Sequence, residues 1–142
     1  MIGFEIKRMF FDRQAVISKV DAATRRVLSK FGAFVRRSAK SSIRKRKKAA
    51  PPGQPPSSHT GLLKKFIFFG YDAARQSVVI GPTRLNQKGR GEAPPLLEYG
   101  GKTTLKRGGK KRRVTYQARP YMGPAFEKEK PQLPAMWRGS VR

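Results

Sequence analysis

Apolar residues at Val16, Val20, Ala23, Val27, Phe31 and Phe34 recur at steps of three and four, and Val35, Ala39 and Ile43 continue the stripe. That spacing keeps one face of an α-helix apolar. Asp12 stands just before it and suits an N-cap, its carboxylate accepting an otherwise unpartnered backbone N–H. The pattern predicts one long helix over about 12–48, about 50 Å at the standard rise. Gly32 lies inside and weakens it by about 1 kcal/mol relative to alanine. Ahead of it, Phe4, Ile6 and Phe10 alternate briefly, as in a short strand.

The periodicity then stops. "AAPPGQPPSSHT", residues 49–60, is rich in proline and excludes helix and sheet interior alike, so it predicts an extended connector. Thr60 suits the cap of a single turn through Gly61-Leu62-Leu63. Residues of about 64–81 read as an antiparallel hairpin: "KKFIFFGY", a turn at "DAARQS", and "SVVIGP" halted by Gly81-Pro82. Period-two alternation puts Phe66, Phe68, Val78 and Ile80 on one side, toward the long helix. Ile67 and Phe69 make the other side apolar too. Either both faces are covered within the chain, or the Phe69 face meets another subunit.

A polar loop over 82–95 follows, with Leu85 and Arg90 as candidate contact residues. "PPLLEYGG" predicts a brief helical turn closed by Gly100 in the left-handed conformation. A second hairpin spans about 101–117, turning at Gly108-Gly109. Its tip carries Lys106, Arg107, Lys110, Lys111, Arg112 and Arg113, a composition that packs poorly on its own core and should project. In the last segment, 122–142, Pro124 starts a short helix, Pro131 stops it, and Leu133, Met136 and Trp137 are candidate anchors. The expected fold is α+β in a single domain over 1–142. One long N-terminal helix packs on a small antiparallel sheet, with a projecting basic hairpin and loop and a short C-terminal helix.

Charge sharpens this picture. The chain of 142 residues has 33 Lys plus Arg against 8 Asp plus Glu, a formal charge of +25. That exceeds what solubility needs and implies a polyanionic partner, nucleic acid or acidic protein. Arg44, Lys45, Arg46, Lys47 and Lys48 crowd the expected end of the long helix, more cations than a helix dipole accounts for. No cysteine is present, so disulfides and thiolate metal sites are excluded. The "MIGFEIKRMFF" start lacks the apolar stretch of a signal peptide, and no apolar run approaches the length of a membrane span.

Catalytic constellations are missing. The single histidine, His59, lies in the proline-rich connector without nucleophile or carboxylate partners. The carboxylates are scattered, so no metal or cofactor site is expected. Nucleic-acid binding is the main rival reading, resting on the clusters at Arg36–Lys48 and Lys102–Arg113. The aromatic residues do not interleave with that charge, so contact would be to the phosphate backbone without sequence readout.

"TGLL" at Thr60–Leu63, "LLEYGG" at Leu96–Gly101 and "ARPYMGPAFEKE" at Ala118–Glu129 follow the long helix in that order. As an ordered set they resemble the tail-completion or neck proteins of long-tailed bacteriophages, over most of the chain from about Ser38 to Val141. The resemblance implies an α+β subunit that closes into a ring, commonly six-fold, joining head to tail around the channel for genomic DNA. It implies a structural virion protein with no catalytic, metal or cofactor residues. Its partners would be further copies, connector or portal-side proteins, and tail terminator or tail tube proteins. Thr60, Gly61, Glu98, Tyr99, Gly100, Arg119, Pro120 and Pro124 are then structural motif positions. The loop and the basic hairpin become arms leaving a rigid "LLEYGG" base for contacts between subunits or rings, with Phe69 and Trp137 as further contact residues. Glu98 either anchors an arginine, Arg119 being the candidate, or is a solvated helix-end residue. The charge at Arg44–Lys48 and the hairpin tip departs from the family's pattern, and faces either DNA in the channel or acidic neighbouring rings. A different phage tail structural protein is a further alternative.

Overall fold

The computed structural model describes residues 12–83 and 93–142. The short strand expected around Phe4–Phe10, and the loop residues Leu85 and Arg90, lie outside them. Helix α1 runs Arg13–Ser42, with Asp12 Oδ1 accepting from the Ala15 N–H at 3.0 Å as its N-cap. Ala23, Val27, Phe31, Val35 and Ala39 form its buried stripe. These residues sit one helical turn apart, so a single line of contact buries them all.

The helix ends six residues earlier than the sequence predicts. Ser41 and Ser42 turn their hydroxyls back onto the carbonyls of Ser38 and Ala39, at 2.9 and 2.8 Å, and Ile43 leaves in an extended conformation. Such bonds offer the backbone an alternative to the next helical turn. Five consecutive cations beyond would repel one another on helical spacing. Arg44–Lys45 instead forms strand β1, pairing in parallel with β2, Ser57–Ser58. The connector is therefore not an extended spacer: it folds back, burying Ala50, Pro56 and Ser58 beside the buried Ile43.

Helical turn α2 (Leu62–Lys65) leads into an antiparallel hairpin of β3 (Ile67–Asp72) and β4 (Ser77–Pro82). Gly61 enters α2 with φ of +78°, a conformation that excludes most other residues, and its N–H donates to Ser58 Oγ at 2.9 Å. Thr60 Oγ1 accepts from the Leu62 N–H at 3.4 Å. The register opposes Phe69 to Ile80 and Tyr71 to Val78. Val78 and Ile80 face α1 as expected, but the β3 alternation is the reverse of the sequence reading. Ile67 is fully buried and Phe69 packs toward Gly32, whereas Phe68 is exposed. The reason is the start of the strand. Phe66 closes α2 as its C-cap, so the strand's inward alternation begins at Ile67.

After α3 (Ala93–Tyr99), strands β5 (Gly101–Arg107) and β6 (Lys110–Tyr116) form a second antiparallel hairpin. Helix α4 (Met122–Glu129), a 3₁₀ turn (Lys130–Gln132) and α5 (Leu133–Trp137) complete the chain. Helix α4 ends just ahead of Pro131, as expected, and the chain goes on into the 3₁₀ turn and α5 because proline is tolerated in the first turn of a helix. Helix α4 packs on α1, with Phe31 and Phe126 edge to face at 5.7 Å. The core consists of Phe31, Val35, Ala39, Ile43, Ile67, Tyr121 and Ala125, with Leu133 and Met136 of α5 packed on it. The architecture is α+β, as the sequence predicts: one long N-terminal helix, small sheets and short C-terminal helices.

Candidate interaction site

Two of the motif segments lock together. Both carboxylate oxygens of Glu98 accept backbone N–H groups across the chain: Tyr121 at 2.9 Å, Met122 at 3.0 Å and Gly123 at 2.7 Å. These groups open α4, where unpartnered donors and the positive end of the helix dipole favour an anion. The next residue, Pro124, has no N–H to satisfy. Glu98 is thus a helix cap supplied from another element, neither an arginine anchor nor a solvated end. Gly123 fits this clamp closely, since a Cβ there would lie 3.1 Å from Glu98 Oε1.

Arg119 has a different task from the one the sequence suggests. Its backbone N–H donates to the Leu97 carbonyl at 2.6 Å, and its Nε–H to the Ala50 carbonyl at 2.7 Å. The Gly53 N–H donates to the Ala118 carbonyl at 2.8 Å. The proline-rich connector, the "LLEYGG" turn and the "ARPYMG" segment are therefore tied into one base. Gly100 is needed there: φ is +72°, and a Cβ would lie 2.9 Å from the Tyr116 carbonyl oxygen. Half-buried Pro120 joins Arg119 to Tyr121, which is 1 % exposed. Burial raises the Tyr121 phenol to about 12, and the charge of Glu98 adds to the shift.

From this base the β5–β6 hairpin projects. Every residue from Thr104 to Arg113 is exposed, including Lys106, Arg107, Lys110, Lys111, Arg112 and Arg113. The register opposes Lys106 to Lys111 and Thr104 to Arg113, so one face of the ribbon holds Lys102, Thr104, Lys106, Lys111, Arg113 and Thr115, entirely polar. Arg107, Lys110 and Arg112 share the other face with Leu105, Val114 and Tyr116. Arg44–Lys48 is exposed as expected, although beyond the helix and not on it.

Among the apolar candidates, Phe69 is not available as a contact residue: it lies half-buried against α1 at Gly32. Trp137 is 39 % exposed on α5. On the outer side of the β3–β4 hairpin, Val79 and Phe68 are exposed, Phe68 contrary to the inward position expected of it. Glycines stand opposite both, Gly70 across from Val79 and Gly81 across from Phe68. Tyr99, at 83 % exposure, stands at the foot of the projecting hairpin. The signal for the outer sheet face was present in those two glycines, which leave one side of the ladder without cover.

Acidic side chains are mostly engaged in the fold. Asp12 and Glu98 cap helices. Asp72 accepts from the Ala74 and Arg75 N–H groups of the β3–β4 turn. Glu129 is buried, accepting from the Ser38 hydroxyl and from Gln132 Nε2. Among the described residues no cluster of His, Cys, Asp and Glu forms a potential metal site, and no helix is long and apolar enough to cross a membrane. His59 is exposed in the connector. Comparison with protein-family models, with curated proteins and with solved structures gives no match.

Proposed function

We propose that this chain is a non-enzymatic structural protein of the bacteriophage neck. Its copies close into a ring, commonly six-fold in proteins of this kind, which completes the tail and joins it to the head around the DNA channel. The observation that carries the reading is the clamp of Glu98 on the start of α4. "LLEYGG" and "ARPYMG", segments on which the phage resemblance rests, meet there in one rigid base. From that base the cationic hairpin leaves in one direction along the sequence, and the segment 83–93 in the other. A rigid foot with a projecting charged ribbon suits a part whose task is assembly.

In this reading the ribbon tip docks on acidic surfaces of connector or tail proteins, and the outer β3–β4 face with Phe68 and Val79 meets a neighbouring copy. A small, solvent-covered hairpin is marginal on its own and gains order when a partner buries it. The deciding experiment is an image of the full-length protein, alone and bound to tails, with its mass measured in solution. A closed ring at the head-proximal end of the tail is the expected result. A chain that stays monomeric at high concentration and in the presence of tails overturns the reading.

A further inference from the structure

A second cationic feature lies away from the projecting hairpin. Arg36, Arg37 and Lys40 of α1 and Lys64 of α2, with Phe34 and Ser41, line an open groove of about 520 Å³. Its guanidinium groups are held in place. The Arg36 Nε–H donates to the Ile67 carbonyl at 2.7 Å, and its guanidinium lies 5.7 Å from the Phe68 ring centre. Only the terminal nitrogens remain for a ligand. Arg37 lies over the Phe34 ring at 5.0 Å. Fixing these side chains in advance removes part of the ordering cost that binding would otherwise carry.

No carboxylate occurs in the sequence between Asp21 and Asp72. Glu129 of α4, which packs on α1, is buried against Ser38 and Gln132. Beyond the end of α1, Arg44–Lys48 add five further exposed cations. Arg36 and Lys40 stand about one helical turn apart, about 6 Å along the axis. A duplex strand carries one phosphate per about 3.4 Å of its axis, so this pair spans about two phosphates.

We infer that this groove docks the sugar–phosphate backbone of double-helical DNA, without reading bases. Three features favour that partner. Cations repeated along a helix, with no carboxylate among them in the sequence, match a regular polyanion better than one acidic patch. A protein partner would be expected to use an apolar anchor, but Phe34, the aromatic side chain of the groove, is covered by Arg37 and also by Lys30 at 5.9 Å. Cations lie over the Phe34 ring and over the exposed Phe68 ring beside Arg36, which disfavours base stacking and so single strands. The inference stands on this groove and does not require ring closure.

The test is fluorescence anisotropy of a labelled DNA duplex with the full-length protein, across a salt series. Arg36 is left in place because it also holds Ile67. The variant Arg37→Gln/Lys40→Gln/Lys64→Gln should bind at least about tenfold more weakly near 0.1 M salt. Its plot of log affinity against log salt should be shallower by about 2.7, or about 0.9 per lost phosphate contact. Lys106→Gln/Lys110→Gln/Lys111→Gln removes the same charge from the hairpin and should change affinity less than about twofold. Equal losses in the two variants would mean that net charge alone binds, and would overturn the inference. Tighter binding to single-stranded DNA, to an RNA duplex or to polyglutamate would overturn it as well. Should the triple variant lose its thermal transition, Lys64→Gln alone decides. A slope shallower by about 0.9 upholds the site and an unchanged slope rejects it.

Discussion

At Gly32, α1 packs tightly against the β3–β4 hairpin. A Cβ there would lie 2.7 Å from Val78 Cγ2 and 2.9 Å from Phe69 Cδ2. Alanine would gain about 1 kcal/mol of helix propensity, but overpacking of a tight contact costs about 1–3 kcal/mol. Val78 is β-branched and Phe69 is a rigid ring, so neither yields easily. Gly32→Ala should therefore lower stability by about 1 kcal/mol in urea unfolding, the opposite of what helix propensity alone predicts. Glu98 is the other decisive residue. Glu98→Ala leaves three backbone donors without their acceptor and should cost about 2–4 kcal/mol. Glu98→Gln, which keeps one acceptor oxygen, should fall between; an unchanged urea midpoint for both would refute the clamp. Tyr121 adds a pH signature. Its phenol is neutral in the folded state and raised from 10.0 to about 12 by burial and then by Glu98. Below pH 10 its contribution is complete. From pH 10 to 12 the unfolded chain ionises first, so about 2–3 kcal/mol is progressively lost. Lysines titrate in the same range, so the measurement is the difference between the pH profiles of the native protein and Tyr121→Phe.

The elements show the limits of periodicity. The stripe on α1 continues through Ile43, yet the helix ends at Ser42 because Ser41 and Ser42 divert carbonyls and charge follows. Alternation in β3 is unambiguous once its starting residue is known, but α2 and its cap decide that start. The β5–β6 hairpin behaves as an independent element. Its exposed tip contributes little to the core, so joining Thr104 to Thr115 through a short turn should leave the far-UV spectrum and the main thermal transition nearly unchanged. The same truncation should abolish attachment of tails to heads. Infectious particles assembled normally with the shortened protein would refute the docking role of the ribbon.

On the scale of the whole molecule, charge opposes compactness. A formal +25 within 142 residues is self-repulsive, and most of the carboxylates placed here serve caps, turns and a buried hydrogen-bond site. The ion pairs Arg75–Asp72 and Lys130–Glu127 are both long, at 3.9 Å, and each has at least one well-exposed partner, so they stabilise little. Repulsion between exposed cations is screened as the Debye length shrinks, from about 30 Å at 0.01 M to about 10 Å at 0.1 M salt. The melting temperature should accordingly rise over that range, and a fall would contradict this balance. A polyanion that binds only the folded chain should stabilise it further. Repulsion also opposes association of like copies until salt or a polyanion neutralises the charge.

The sequence by itself determined the long helix and the part of its stripe that is buried, Ala23 to Ala39 (Val16 and Val20, at its start, are exposed), the Asp12 cap, both hairpins and the projection of the basic ribbon. These follow from local spacing, turn chemistry and charge density, which neighbouring residues alone can express. The tertiary structure decided which face of β3 is buried, where α1 stops, that the proline-rich connector folds back, and that Glu98 caps α4 while Arg119 holds Ala50. It also decided that Arg36, Arg37, Lys40 and Lys64 share one groove. The folded-back connector, the Glu98 cap, the Arg119 bond and the shared groove each join residues far apart in the chain, and spacing along a sequence carries no information about which distant group will complete a bond; the end of α1 and the start of β3 turn on side-chain hydrogen bonds and a cap that apolar periodicity does not register.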